Sequence, residues 1–124
     1  MKDVKGYHRF IKVGLDIEGM HFWENAPEEV SYLRYPHRHI FHIIVEFKVN
    51  HNNRDLEFII MKHKIEKFLK DKFYISIYKL CNFGQMSCEA IAELILDEFR
   101  DAVSCEVWED KENGARLERR RYDD

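Results

Sequence analysis

Between Ile11 and Ile17 the chain alternates. Ile11, Val13, Leu15 and Ile17 are apolar, while Lys12, Gly14 and Asp16 between them are polar or small. A period of two predicts a half-buried strand. The polar, turn-rich run from Glu24 to Glu29 reads as a loop. Alternation resumes from His37 to Val49. Phe41, Ile43, Val45, Phe47 and Val49 share one face, and Arg38, Ile40, His42, Ile44, Glu46 and Lys48 share the other. After a turn at His51 to Asp55, the period changes. Phe58, Met61, Ile65, Phe68 and Leu69 predict an amphipathic helix from Leu56 to about Leu69, with Lys62, Lys64, Glu66 and Lys67 toward water. The stretch Phe73 to Phe83 is apolar and aromatic but fits neither period, so its structure stays open. Ser87 suits the N-cap of a second helix, with Glu89 in the first turn and apolar residues recurring at helical spacing from Ala90 to Ala102. Cys105, Val107 and Glu109 mark a third strand. Asn113-Gly114 signals a hairpin turn before a fourth strand from Ala115 to about Arg119.

The predicted order is ββααββ, an α+β domain with two helices on one face of an antiparallel sheet. No repeat, linker or low-complexity segment interrupts it, so residues 1–124 read as a single domain. Apolar residues make up 45% of the chain, enough for a core, and charged residues 35%, enough for a solvated surface. The net charge of -3 argues against a general nucleic-acid binder, which needs a basic excess or stripe. Arg119, Arg120 and Arg121 form the basic cluster and read as a solvated tail ahead of Asp123 and Asp124. No apolar run approaches the ~20 residues that span a bilayer, and the first residues lack a signal-peptide apolar core. Three cysteines, Cys81, Cys88 and Cys105, form no CxxC pair. They read as reduced, buried thiols of a cytoplasmic protein.

Seven histidines change the picture. His37 and His39 are two apart on a predicted strand, so both rings project to one side. If the first two strands are neighbours, His21 comes beside the start of the second. Three imidazoles would then converge on one ion and leave a fourth position open, as catalytic zinc sites do. The alternative is a chance His-x-His pair in a histidine-rich chain. His42 lies on the opposite face and is a poor fourth ligand. His8, His51 and His63 read as surface residues.

Several segments in order carry a resemblance. Leu15 to His21, His37-Arg38-His39, Asp55 to Phe58, Met86 to Ala92 and Val107-Trp108-Glu109 resemble, in sequence and spacing, motifs of the 6-pyruvoyl-tetrahydropterin synthase and 6-carboxy-tetrahydropterin synthase family. Arg38 stands where the family's HGH motif has glycine. The resemblance implies the tunnelling fold, subunits assembled into an oligomeric barrel, and sites at subunit boundaries. It implies Zn2+ on His21, His37 and His39, and a pterin- or purine-type ligand held by Glu109 and the Ser87 region. A carboxylate suits that role, because it accepts the paired N–H groups such rings present. The bland alternative for Glu109 is an exposed strand residue beside Asp110. Tyr32, Arg34, Tyr35 and Arg38 are candidates to stack on a flat ring or grip a phosphate. They serve equally as a loop packing against a neighbouring subunit.

The chain departs from the family at its proton-moving groups. The family's enzymes carry a cysteine shortly before HGH, where this chain has Ser31 to Pro36. They carry an Asp-His pair between the helices, where this chain has Phe73 to Cys81. Tyr32, Tyr35 and Cys81 are the available substitutes, and spacing selects none of them. Two expectations follow. One is a zinc-dependent lyase acting on a pterin- or purine-type triphosphate. The other is a binding protein that holds such a molecule in the same pocket without turnover.

Overall fold

The computed structural model describes residues 6–120. The basic and acidic positions from Arg121 onward and the first five residues lie outside this range. Six strands form one mixed sheet: β1 (Arg9–His21), β2 (His37–Val49), β3 (Tyr74–Ile75), β4 (Leu80–Asn82), β5 (Ala102–Glu109) and β6 (Asn113–Glu118). The sheet order is β3-β4-β1-β2-β5-β6. Helices α1 (Phe58–Phe73) and α2 (Cys88–Glu98) pack against it, and a short 3-10 helix spans Glu28–Arg34. None of the helices is long and apolar enough to cross a membrane.

The α+β class holds, but the sheet is not wholly antiparallel. The ambiguous stretch before α2 supplies two short strands, β3 and β4, and β4 runs parallel to β1 through Gly19↔Cys81 and Met20↔Asn82. These strands are too short for any periodicity to show, which is why the sequence pattern left them open. The 3-10 helix begins at the end of the Glu24 to Glu29 region read as a loop and continues past it to Arg34, with a non-helical break at Val30.

Element ends moved for local reasons. Helix α1 begins at Phe58 rather than Leu56, because the Glu57 carboxylate accepts the amides of Ile59 and Ile60 at 2.9 and 3.2 Å. Helix α2 stops at Glu98, and Ala102 starts β5 instead of ending the helix. Arg119 explains part of that stop. Far from being a solvated tail, its guanidinium donates at 2.6 Å to the Leu96 carbonyl, one of the groups the helix end leaves free, and at 2.9 Å to the Ala102 carbonyl at the start of β5. The β5–β6 turn falls at Asp110 to Glu112, one step before the Asn-Gly signal. Asp110 and Lys111 adopt φ of 53 and 60°. Gly114 lies within β6 opposite Trp108, where a Cβ would stand 2.6 Å from the Val107 carbonyl and 2.8 Å from the indole. Glycine there serves close packing, not the turn.

Strand parity organises the core. Val13, Leu15 and Ile17 of β1, Phe41 to Val49 at odd positions of β2, and Cys105 and Val107 of β5 are buried on one face. Helices α1 and α2 cover that face with Ile65, Leu69, Ile91, Ala92 and Ile95. The other face carries polar pairs such as the Asp16–His42 hydrogen bond at 2.6 Å and the Glu18–Arg38 ion pair.

Candidate metal centre and adjoining cavity

At one end of the sheet the core face changes chemistry without changing parity. His21 lies across from His37 and Gly19 across from His39 in the β1–β2 ladder, while Glu109 of β5 pairs with Phe41. The pleat that buries Phe41 and Val107 therefore also turns His37, His39 and Glu109 inward. One ring nitrogen from each of His21, His37 and His39 lies within 4.8 Å of the others, an arrangement placed to hold a metal ion. Ring centroids are 4.6 to 5.2 Å apart. Phe41 meets His21 and His39 edge-on at 5.2 and 5.6 Å, and Phe83 backs Phe41 at 5.1 Å.

Each ring is anchored through Nδ1. His21 Nδ1 lies 2.9 Å from the Met86 carbonyl, His37 Nδ1 2.9 Å from the Tyr35 carbonyl, and His39 Nδ1 2.6 Å from Asp110 Oδ2. All three partners accept only, so the protons of neutral rings are assigned to Nδ1, leaving an Nε2 lone pair on each. Nε2 of His21 and of His39 are buried and make no hydrogen bond. Glu109 approaches them at 3.1 and 3.6 Å, but without hydrogen-bond alignment. Buried lone pairs facing a carboxylate are unfavourable unless a cation lies among them. The donor set thus fits a metal, and the outer partners are those that orient ligating histidines.

Electrostatics agree with the crowding. Burial alone lowers the His21 pKa, yet the adjoining Glu109 carboxylate and the Met86 carbonyl outweigh it, and the net shift is upward. The His21 contact holds the Glu109 carboxyl below its usual range against the opposing effect of burial, and His39 adds to the lowering. Cys88, at the start of α2, places its Sγ 3.7 Å from Glu109 Oε2. Burial, reinforced by Glu109, pushes this thiol up to about 12.

A cavity of about 490 Å³ opens beside the histidines. Phe22, Trp23, Leu33 and Met86 give it apolar walls, and Gln85, Ser87, Glu109 and Asn113 give it polar groups. The loop before α2 holds one wall, through Phe22 N to the Gly84 carbonyl at 2.9 Å. The 3-10 segment holds another, through Trp23 N to the Leu33 carbonyl at 2.8 Å. Ser87 Oγ also accepts the Ala90 amide at 3.1 Å, capping α2.

The structure brings together His21, His37, His39, Glu109 and Ser87. Arg38 and Tyr35 are not among the cavity-lining residues. Arg38 pairs with Glu18 on the opposite face of the sheet, as its even position dictates. The Tyr35 side chain is 71% exposed, and only its carbonyl touches the site. His42 pairs with Asp16, away from the cavity. Asp110, Cys88, Met86 and Trp23 are site residues that sequence reasoning missed. Adjacency to Glu109 and Ser87 was the available signal for Asp110 and Cys88.

No family model matches the chain, and no curated protein matches it. Among solved structures, an uncharacterized protein from Wolinella succinogenes is similar, with a TM-score of 0.65 at 15% identity, covering 93% of this chain and 100% of that chain. At that identity the likeness concerns the fold alone: a mixed six-stranded sheet carrying helices on one face.

Proposed function

We propose that this chain is a zinc protein of the 6-pyruvoyl-tetrahydropterin synthase kind, which binds a pterin- or purine-type triphosphate beside a three-histidine centre and acts on its side chain. The observation that carries the reading is the pair of buried, unbonded Nε2 atoms on His21 and His39, backed by Nδ1 anchors on all three rings. Three imidazoles with an open position are the donor set of hydrolytic and lyase zinc sites. Zinc there would polarise a ligand oxygen and make an adjacent C–H more acidic.

The residues divide the remaining work. Glu109 accepts paired ring N–H groups, a role that draws its carboxylate away from the histidines. The Ser87 hydroxyl, whose oxygen caps α2, keeps its proton free to donate to the ligand. Trp23 and Phe22 supply flat apolar surface for the ring and exclude water. Tyr32 and Tyr35, 70% and 71% exposed near the same loop, are the surface against which a second copy would close the site in an oligomeric tunnelling-fold barrel. A cytoplasmic setting with reduced thiols fits the three unpaired cysteines.

A second reading, binding without turnover, rests on Cys88. The thiol beside Glu109 is the one cysteine in the cavity lining, and its pKa of about 12 keeps it protonated near neutrality, unsuited to serve as a base. Native mass spectrometry tests the common core: one zinc per chain, lost in His37→Ala and His39→Ala. Incubation with dihydroneopterin triphosphate then separates the readings. A new product that disappears in Glu109→Ala supports the lyase. Intact ligand recovered from the wild-type complex supports the binder. Metal-free protein after purification in zinc overturns both.

A further inference from the structure

The turn between β5 and β6 does more than reverse the chain. The β2–β5 ladder ends at Phe41↔Glu109. One residue later Asp110 turns with φ 53° and extends the pairing with its own side chain. Its backbone N–H donates to the Ile40 carbonyl at 2.9 Å, and its Oδ1 accepts the Ile40 N–H at 2.8 Å. That leaves Oδ2 fixed in direction, and it lies 2.6 Å from His39 Nδ1. The carboxylate is thus held by the backbone of the residue after the one it contacts, while the His39 ring is closed in on its other side by Phe41.

We infer that Asp110 is a positioning residue for the metal centre: its carboxylate holds the His39 ring in the Nδ1–H tautomer, so that Nε2 faces the ion. The inference rests on the zinc reading above and deepens it. The chemistry is specific to a carboxylate, because Asp110 must accept two hydrogen bonds at once, one on each oxygen. Asparagine has the same shape but a single oxygen. If that oxygen keeps the Ile40 amide, the NH2 group confronts His39 Nδ1 and favours the tautomer that protonates Nε2, which cannot ligate. If the amide flips, NH2 confronts the Ile40 N–H instead. Either orientation creates a donor–donor contact. Alanine removes the acceptor but lets water take the place beside Nδ1–H. The other two rings lean on main-chain carbonyls of Met86 and Tyr35, which no substitution removes. His39 alone depends on a side chain, so it is the ligand a point mutation can misdirect.

The test compares wild-type protein with Asp110→Asn and Asp110→Ala. Zinc affinity is measured by competition with a chromophoric chelator, the visible spectrum is recorded after Co2+ substitution, and melting is followed for each metal-free protein. Loss of such an outer partner typically weakens metal binding about 10–100-fold. The expected order of affinity is wild type, then Ala, then Asn, with a changed Co2+ ligand-field band in Asn. A merely structural role predicts the reverse, since Asn preserves shape and Ala does not. Asn binding zinc within about two-fold of wild type overturns the inference while leaving the zinc centre intact. Should Asn fail to fold, unchanged affinity in Ala overturns it equally. Wild-type protein that takes up no metal overturns the centre itself, a distinct result read in the same titration.

Discussion

Replacing Gly19 with alanine should destabilise the protein, although the same change five residues earlier on the same strand should not. Gly19 occupies an odd position of β1 and faces the core between Phe41 and Phe83. A Cβ there would lie 2.7 and 2.9 Å from two Phe83 ring carbons and 3.0 Å from a Phe41 ring carbon, where ordinary contact begins at 3.4 Å. Both rings are fully buried, at 0 and 2% exposure, and cannot swing into solvent. Overpacking of this kind costs about 1–3 kcal/mol. The lost freedom of the unfolded chain returns roughly 0.5–1 kcal/mol. The net loss is about 0–2.5 kcal/mol, centred near 1 kcal/mol, with on the order of 2–8 °C in Tm for each kcal/mol. Gly14 faces outward with nothing within 4 Å of a Cβ, so only the favourable entropy applies, and Gly14→Ala should gain roughly 0.5–1 kcal/mol. Urea unfolding of the two metal-free variants gives both signs. Equal effects, or a stabilised Gly19→Ala, would refute the close-packing argument. Because Phe41 also supports His21 and His39, Gly19→Ala should weaken zinc binding as well.

Other expectations follow from the same contacts. Arg119→Ala removes charge-assisted bonds to the Leu96 and Ala102 carbonyls and should cost about 1.5–3 kcal/mol in urea unfolding; a change near zero would return Arg119 to the solvated tail. Ser87→Ala strips the α2 cap and should cost ~1 kcal/mol, with Ser87→Asp retaining most of it, as judged by thermal melts. Cys105 is fully buried and its thiol is pushed up to about 12, chiefly by burial, so the reactive thiolate is scarce at pH 8. Folded protein should alkylate at Cys105 only at the rate of unfolding, and rapid labelling read by mass spectrometry would contradict that placement. Saturating zinc should raise Tm, by about 2.7 kcal/mol of added stability at a free concentration 100 times Kd, and EDTA should reverse it; a Tm indifferent to both would count against the centre.

How much of this was legible beforehand depended on the range of the interaction. The long strands β1 and β2 announced themselves, because alternation over many residues is a direct record of which side chains meet the core. So did the positions of His37 and His39 on one face. The strands β3 and β4 did not, since two or three residues hold no period and their pairing depends on a parallel partner far away in sequence. The start of β6 was misplaced by two residues, from Asn113 to Ala115, because Asn113-Gly114 carries the stronger local turn signal, while Gly114 is required by the Trp108 ring across the ladder. Arg119 looked like tail for the same reason: its carbonyl partners lie 17 and 23 residues away.

Sequence by itself determined which face each functional side chain would occupy. The pleat has period two, so residues sharing parity with Phe41 and Val107 must project beside them, and His37, His39 and Glu109 do. It likewise separated His42 from that face, and the same parity carries Arg38, named above as a ligand candidate, to Glu18 on the opposite side. Only the tertiary structure decided what those side chains meet. The acceptors for His21 and His39 are a carbonyl 65 residues away and a carboxylate 71 residues away. Such contacts leave no local trace, because a hydrogen bond fixes direction only between groups the whole fold has already brought within 3 Å. Parity aimed the histidines; packing of the distant loop and hairpin turn chose which nitrogen each presents.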